Sequence, residues 1–305
     1  MIEIENLEMR ARIVATMRRF FDVRGFVEVE TPVRIAAPAP EPHIDCPAVV
    51  ARPVADAIAH AEFLRASPEL QMKKLLAAGM ERIYQIGPCF REGERGRRHN
   101  PEFTMLEWYR AHADYNDVMA DAEALMAELF AAFPERLPPH VASAAAASFR
   151  RISVRDAYLE LAGWDPFAEW DADRFDFDMA TKIEPGLPRE PIFLTDYPPA
   201  AASLSRIGDA PPPRHAERWE LYVDRVELAN AFSELVDADE QRRRFMAARE
   251  ERRALGEADY PIDEDFLSVL AAMPPSGGVA LGVDRLVMLL AGADSIAAVR
   301  AKDLS

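Results

Sequence analysis

The sequence predicts an α+β fold built on an antiparallel β-sheet flanked by helices. Three observations lead there. IYQIGPCF (83–90) and FTMLEWYR (103–110) read as two strands joined by a polar loop, and WELYVDRVELANAF (219–232) alternates as a second hairpin. The helical patterns between them fall at uneven intervals, which argues against an alternating βαβ sheet.

Taken in order, residues 7–24 predict an amphipathic helix, with Met9, Ile13, Met17 and Phe20 at helical spacing and Gly25 ending it. FVEVE (26–30) is a short strand stopped by Thr31-Pro32. A proline-rich irregular stretch runs to about residue 61, and its APAPEPH segment reads as a surface loop or lid. A helix follows over 69–78, then the first hairpin, then a helix over 117–133 with Val118, Leu125, Leu129 and Phe133 on one side. Residues 134–148 read as a linker by composition, and 152–190 as short helices. FLTDYP is a strand, APPPRH (210–215) an exposed turn, and 238–255 a charged surface helix. A glycine-rich strand (277–282) feeds an apolar helix over 285–291. One domain spanning 1–305 is expected, with 134–215 as a variable region.

The chain has 305 residues, 50% hydrophobic and 29% charged, as in soluble globular proteins. Its net charge of −16 argues against indiscriminate binding to a phosphate backbone. The two cysteines, Cys46 and Cys89, have no metal-ligand spacing and suggest buried thiols in a reducing cytoplasm. The start MIEIENLEMR lacks the apolar core of a signal peptide, and the most apolar stretch is too short to span a bilayer. No membrane association is expected.

Four constellations carry chemistry. The loop after residue 90 gathers Arg91, Arg95, Arg97, Arg98 and His99 around Gly93 and Gly96. Guanidinium groups suit phosphate, and glycine admits a close backbone approach, although arginines in hairpin loops are often plain surface charge. In FTMLEWYR, period-two alternation puts Phe103, Met105, Glu107 and Tyr109 on one face. A carboxylate buried there needs a partner. Either a substrate ammonium, with a cation–π contribution of roughly 0.5–2 kcal/mol from the tyrosine ring, or a neighbouring arginine would serve. VELANAFSELVD places Glu227 and Glu234 seven apart around Asn230, so the strand must bend near Asn230 for both to reach one site. Such carboxylates, with nucleotide phosphates, commonly hold Mg²⁺. Finally, SGGVALGVDRLVML ends its glycines at a helix start, where phosphate binding and tight strand–helix packing are both open.

In order, these segments resemble the catalytic domain of class II aminoacyl-tRNA synthetases. The similarity is closest to the lysyl branch, which includes truncated paralogues that ligate (R)-β-lysine to elongation factor P. GFVEVETP resembles motif 1, FREGERGRRHNPEFTMLEWY motif 2 and GVALGVDRLVML motif 3; SPELQMKKLL and ELANAFSEL match the amino-acid and the metal and ATP segments. The resemblance implies ATP as substrate and Mg²⁺ as cofactor. It implies that Arg91 and Arg285 act on the phosphates, and that Glu92, Gly93, His99, Asn100, Glu227, Leu228 and Gly282 complete the ATP site. It further implies that Ser67, Pro68, Glu69, Glu107, Tyr109, Asn230, Glu234 and Ala280 bind the amino acid, and that Glu227 and Glu234 hold the metal. The motif 2 glutamate is displaced by one place, so that Glu92 or Glu94 faces the adenosine.

Only 24 residues precede Gly25, too few for the anticodon-reading barrel of a lysyl-tRNA synthetase. The truncated paralogues also carry alanine at the position of Ala280, where synthetases carry glycine. The expected partners are therefore elongation factor P and lysine or β-lysine, without tRNA. The motif 1 resemblance implies a homodimer. Arg95 to Arg98, and more weakly Arg150-Arg151 and Arg242 to Arg244, are the candidate docking patches.

Overall fold

The structure, a computed structural model, describes residues 4–50, 62–144, 148–209 and 213–301. It opens with helix α1 (Ile4–Asp22), strands β1 (Val27–Glu28), β2 (Arg34–Ile35), β3 (Ala48–Val49) and β4 (Glu62–Leu64), then helix α2 (Glu69–Ala77). The first long hairpin is β5 (Arg82–Phe90) and β6 (Glu102–Ala111), followed by α3 (Tyr115–Ala132), α4 (Pro139–Ala144), β7 (Arg150–Ser153) and α5 (Val154–Leu161). Next come α6 (Ala172–Asp178), α7 (Glu184–Gly186), β8 (Ile192–Tyr197), β9 (Ile207–Gly208) and the second hairpin, β10 (His215–Val223) and β11 (Val226–Ser233). The described chain closes with α8 (Ala238–Leu255), α9 (Glu264–Leu270), β12 (Ser276–Gly282) and α10 (Val283–Ala291).

Nine strands form one sheet in the order β1-β5-β6-β12-β11-β10-β8-β7, with β9 beside β10. Its centre is antiparallel as expected. Both ends depart from that expectation, because β1 runs parallel to β5 and β7 parallel to β8. Each parallel pair is joined through a long excursion containing at least one helix, the connection that parallel neighbours require.

Period-two alternation in β6 divides the molecule. Leu106 and Trp108 enter a core with α1, α3 and α10, while Met105, Glu107 and Tyr109 face the opposite side. The helices end where local chemistry dictates. Asp114 and Asp117 form a reciprocal capping box at α3, and Asp237 caps α8. Gly25 at φ 74° and Gly256 at φ 78° turn the chain out of α1 and α8 in the left-handed region.

Several expectations need correction. Residues 134–148 are more than a linker: α4 lies there, and Val141 is wholly buried in the main core. Residues 145–147 lie outside the described residues, as do 51–61 of the proline-rich stretch and 210–212 of APPPRH. At the end of that last segment Pro213 and Arg214 are exposed at a bend, as expected, and only His215 is buried, at the start of β10. The charged helix α8 buries Gln241, Phe245 and Arg252. The small sheet β2-β4-β3 and helix α9 had no clear periodic signal. Both cysteines are buried and free, as expected; burial pushes Cys46 up to about 11 and Cys89 up to about 12. Among the described residues no helix is long and apolar enough to cross a membrane.

Candidate active site

A cavity of about 360 Å³ opens on the sheet face opposite α1 and α3, walled by β6, β11 and β12, the start of α2 and the loop after β5. Arg91 and Arg285, separated by 194 positions in sequence, both line it. So do His99, Asn100, Glu227, Leu228 and Gly282 at the cationic end, and Ser67, Glu69, Glu107, Tyr109, Asn230, Glu234 and Ala280 elsewhere on the wall. Three expected residues do not reach it. Glu92 and Gly93 are exposed, while Glu94 lines the cavity; Pro68 is buried at the N-terminus of α2.

A β-bulge brings Glu227 into the site. Leu221 pairs with Ala229 and Tyr222 with Glu227, so Leu228 is an extra residue that shifts the side-chain parity of β11. The expected bend therefore exists, two residues before Asn230. Beyond it Asn230, Phe232 and Glu234 alternate onto the cavity face. Close approach of β12 completes the wall. A methyl group at Gly278 would overlap both Glu234 Oε1 and the Tyr109 ring, so only glycine fits. At Gly282 a methyl would meet only ordinary contact with Arg285, so tight packing explains the first glycines of that strand and not the last.

One end of the cavity is anionic, and two of its carboxylates are buried. Glu107 is 1% exposed and accepts hydrogen bonds from Ser67 Oγ (2.6 Å) and Tyr109 Oη (2.9 Å), with no arginine partner among the described residues. Of the two readings left open above, the internal salt bridge to an arginine is not formed among the described residues. Burial, together with the Glu69 charge, pushes Glu107 up to about 7 against the pull of those hydroxyls. Glu234 is also raised by burial, despite an ion pair to the fully buried Lys73 at 2.5 Å. Burial works to lower the Lys73 pKa, but the charges of Glu234 and Glu69 outweigh it and keep the amine protonated.

The other end is cationic. Arg285 Nη1 donates to Glu227 Oε2 (3.0 Å), and its Nη2 lies 2.7 Å from His99 Nε2. Burial and the Arg285 charge lower the His99 pKa, which keeps the imidazole neutral. Arg91 stacks over Phe103 at 5.1 Å, and its buried Nε has no hydrogen-bond partner among the described residues. A guanidinium that lines a cavity with one donor still unmet is a place for an anion.

The metal assignment needs revision. Glu227 and Glu234 stand roughly 20 Å apart by strand rise, and Glu234 is engaged by Lys73. Glu220, on the neighbouring strand β10, lines the cavity with Glu227. Glu184 beside them is raised by burial and then by the charges of Glu227 and Glu220, a crowding that a cation would relieve. Sequence reasoning missed Glu220, Lys73, Arg218, Glu41 and Gly278. Lys73 follows Glu69 at helical i,i+4 spacing, but its neighbour Lys74 was an equal candidate until packing buried one and left the other at Asp263.

The chain belongs to the class II aminoacyl-tRNA synthetases: the family described as "tRNA synthetases class II (D, K and N)" matches residues 3–301. Among its relatives, a protein of Proteus mirabilis (strain HI4320) named elongation factor P–(R)-β-lysine ligase is 40% identical over 307 residues, covering 96% of this chain and 93% of its own. Proteins of the same name from Edwardsiella ictaluri (39% identical, 97% and 94% covered) and Photorhabdus laumondii (40%, 98% and 94%) are similar over the same extent.

Proposed function

We propose that this protein is an ATP-dependent ligase that activates (R)-β-lysine or lysine as an aminoacyl-adenylate. It then transfers the acyl group to the ε-amine of a lysine on elongation factor P, releasing AMP. In the first step the substrate carboxylate attacks the α-phosphorus of ATP and diphosphate leaves; in the second the acceptor amine attacks the acyl carbon and AMP leaves. The observation that carries this reading is a single cavity lined by the guanidinium groups of Arg91 and Arg285 at one end and, at the other, by the carboxylate of Glu107, which has no cationic partner among the described residues. A long amine with a carboxylate to be activated fits that polarity.

Arg91 and Arg285 would bind and orient the phosphates and offset charge developing on phosphorus. His99 and Asn100 would close over the nucleotide, with Glu94 rather than Glu92 at the adenosine. Glu107 and Tyr109 would hold the substrate's distal amine. Mg²⁺ arriving with ATP fits Glu220 and Glu227, and would supply neutralisation of phosphate charge; this ion keeps several waters and needs few protein ligands. A homodimer, a cytoplasmic location and docking of the partner on Arg95 to Arg98 belong to the same reading. Arg242 to Arg244 support docking less, being ion-paired to Glu264 and Glu240.

The test has two parts. Diphosphate exchange into ATP should depend on β-lysine or lysine, and elongation factor P incubated with the enzyme should gain the mass of one lysyl group. Robust charging of lysine tRNA with no change in elongation factor P would instead establish a lysyl-tRNA synthetase activity.

A further inference from the structure

The anionic end of the cavity holds more carboxylates than the single amine contact at Glu107 requires. Glu41, Glu69, Glu107 and Glu234 all line it. Lys73 serves two of them, lying 2.5 Å from both Glu69 Oε1 and Glu234 Oε2. Glu107 accepts only from uncharged hydroxyls. Among the described residues Glu41 has neither a hydrogen bond nor an ion pair to its carboxylate, and the cations around it are committed elsewhere. Arg218 is held by Glu220 (2.7 Å), Asn230 Oδ1 (3.2 Å) and the Ala201 carbonyl (3.0 Å); Arg91 faces Glu94 at 3.5 Å and stacks on Phe103. Two carboxylates therefore lack a cation.

The backbone beneath Glu41 is built to hold it there. Arg252, fully buried on α8, donates from Nη1 to the carbonyls of Glu41 (2.8 Å) and Ile44 (3.0 Å) and pairs with Asp45 through Nη2. Tyr260 Oη accepts from Cys46 N at 2.7 Å. Pro38, Pro40 and Pro42 restrict the same loop further. Glu41 lines the cavity together with Glu69 and Glu107 of the amine end and with Arg91 of the phosphate end. Burial and Glu69 raise its pKa, a penalty that an arriving cation would remove.

We propose that Glu41 is a specificity-determining residue that binds the substrate's second ammonium, the one nearest the carboxyl group, while Glu107 binds the distal one. This inference rests on the diamino-acid reading above. The stretch read from sequence as a lid is then a fixed wall of the substrate pocket, clamped by Arg252.

The experiment compares wild type with Glu41→Gln in diphosphate exchange, using β-lysine, lysine and 6-aminohexanoate, which lacks the second amine. Glu41→Gln should lower kcat/KM for the diamino acids by about tenfold or more, the worth of one charge-assisted hydrogen bond. The inhibition constant of 6-aminohexanoate should stay within about twofold, which also reports that the variant is folded. Equal losses for all three compounds, or no change for any, overturn the proposal. Intact exchange with a loss confined to transfer onto the protein acceptor also overturns it, and would make Glu41 a proton acceptor in the second step. If the wild type itself exchanges with neither diamino acid, the functional reading fails and this inference falls with it, a result distinct from the other two.

Discussion

Glu107 is a carboxylate that has been desolvated without a cationic partner among the described residues, and its behaviour follows from that. Glu107→Gln should raise KM for the amine substrate by about tenfold or more while leaving KM for ATP within about twofold, since the nucleotide end lies elsewhere in the cavity. Steady-state exchange kinetics check this, and equal losses in both constants would contradict the assignment. The pH dependence has two signs. Amine binding needs the ionised carboxylate, so kcat/KM for the amino acid should fall as pH drops through about 7, where Glu107 titrates in the free protein. Stability without ligand runs the other way. A carboxyl raised from 4.5 to about 7 binds more protons folded than unfolded between those values, so stability declines as pH rises across that window. Melting temperatures taken from pH 5 to 8, with and without lysine, should show the ligand's stabilisation growing with pH. Ala280 stands opposite Glu107 and Asn230 in the sheet register. Ala280→Gly should change the ratio of kcat/KM for β-lysine over lysine, with ~1–3 kcal/mol as the scale of one methyl in a tight pocket. An unchanged ratio would remove this residue from the specificity argument.

At the scale of the element, β11 carries the site only because it is irregular. Seven positions separate Glu227 from Glu234, an odd number that would send them to opposite faces of a regular strand. Leu228 absorbs the difference. Inserting one residue between Leu221 and Tyr222 of β10, opposite Leu228, should restore regular pairing at the odd spacing of seven and turn Glu227 away from Arg285, raising KM for ATP by about tenfold or more, the loss of a charged hydrogen bond. Affinity for the amine should be less affected, because Asn230, Phe232 and Glu234 follow the bulge. Kinetics for the two substrates in parallel would decide; equal losses would show that the bulge merely keeps the strand folded. Strand β12 illustrates the complementary device, with Gly278 admitting Tyr109 and Glu234 where any side chain would collide.

At the scale of the whole molecule, a continuous nine-stranded sheet ties the regions together. Residues 150–187 pack their own apolar cluster, including Tyr158, Trp164 and Phe175, against β8 and β10. The region expected to be variable is thus structurally continuous with the strand that carries Glu220. The opposite edge is β1, where Val27 is 52% exposed and nearby Val23 72%. An open edge with exposed aliphatic groups in the segment resembling motif 1 suits a second copy of the chain. Sedimentation equilibrium should give twice the chain mass of 34.1 kDa, and Val27→Asp should shift the distribution towards monomer. A monomer at every concentration would sink the dimer expectation.

The sequence by itself determined the elements that have a period or a fixed motif: the two hairpins, the apolar faces of α1 and α3, and the alternation that turns Glu107 and Tyr109 away from Leu106 and Trp108. These are legible because they depend on spacing along one segment. It also named most of the cavity wall, because the resemblance carried those residues together. Only the tertiary structure decided which charges cancel. Lys73 rather than Lys74 enters the pocket, Glu220 rather than Glu234 stands with Glu227, and Glu41 is left without a cation in a loop clamped from α8, 211 positions away. Charge pairing depends on distance in space and on the exclusion of water, and neither is written in the spacing of any one segment.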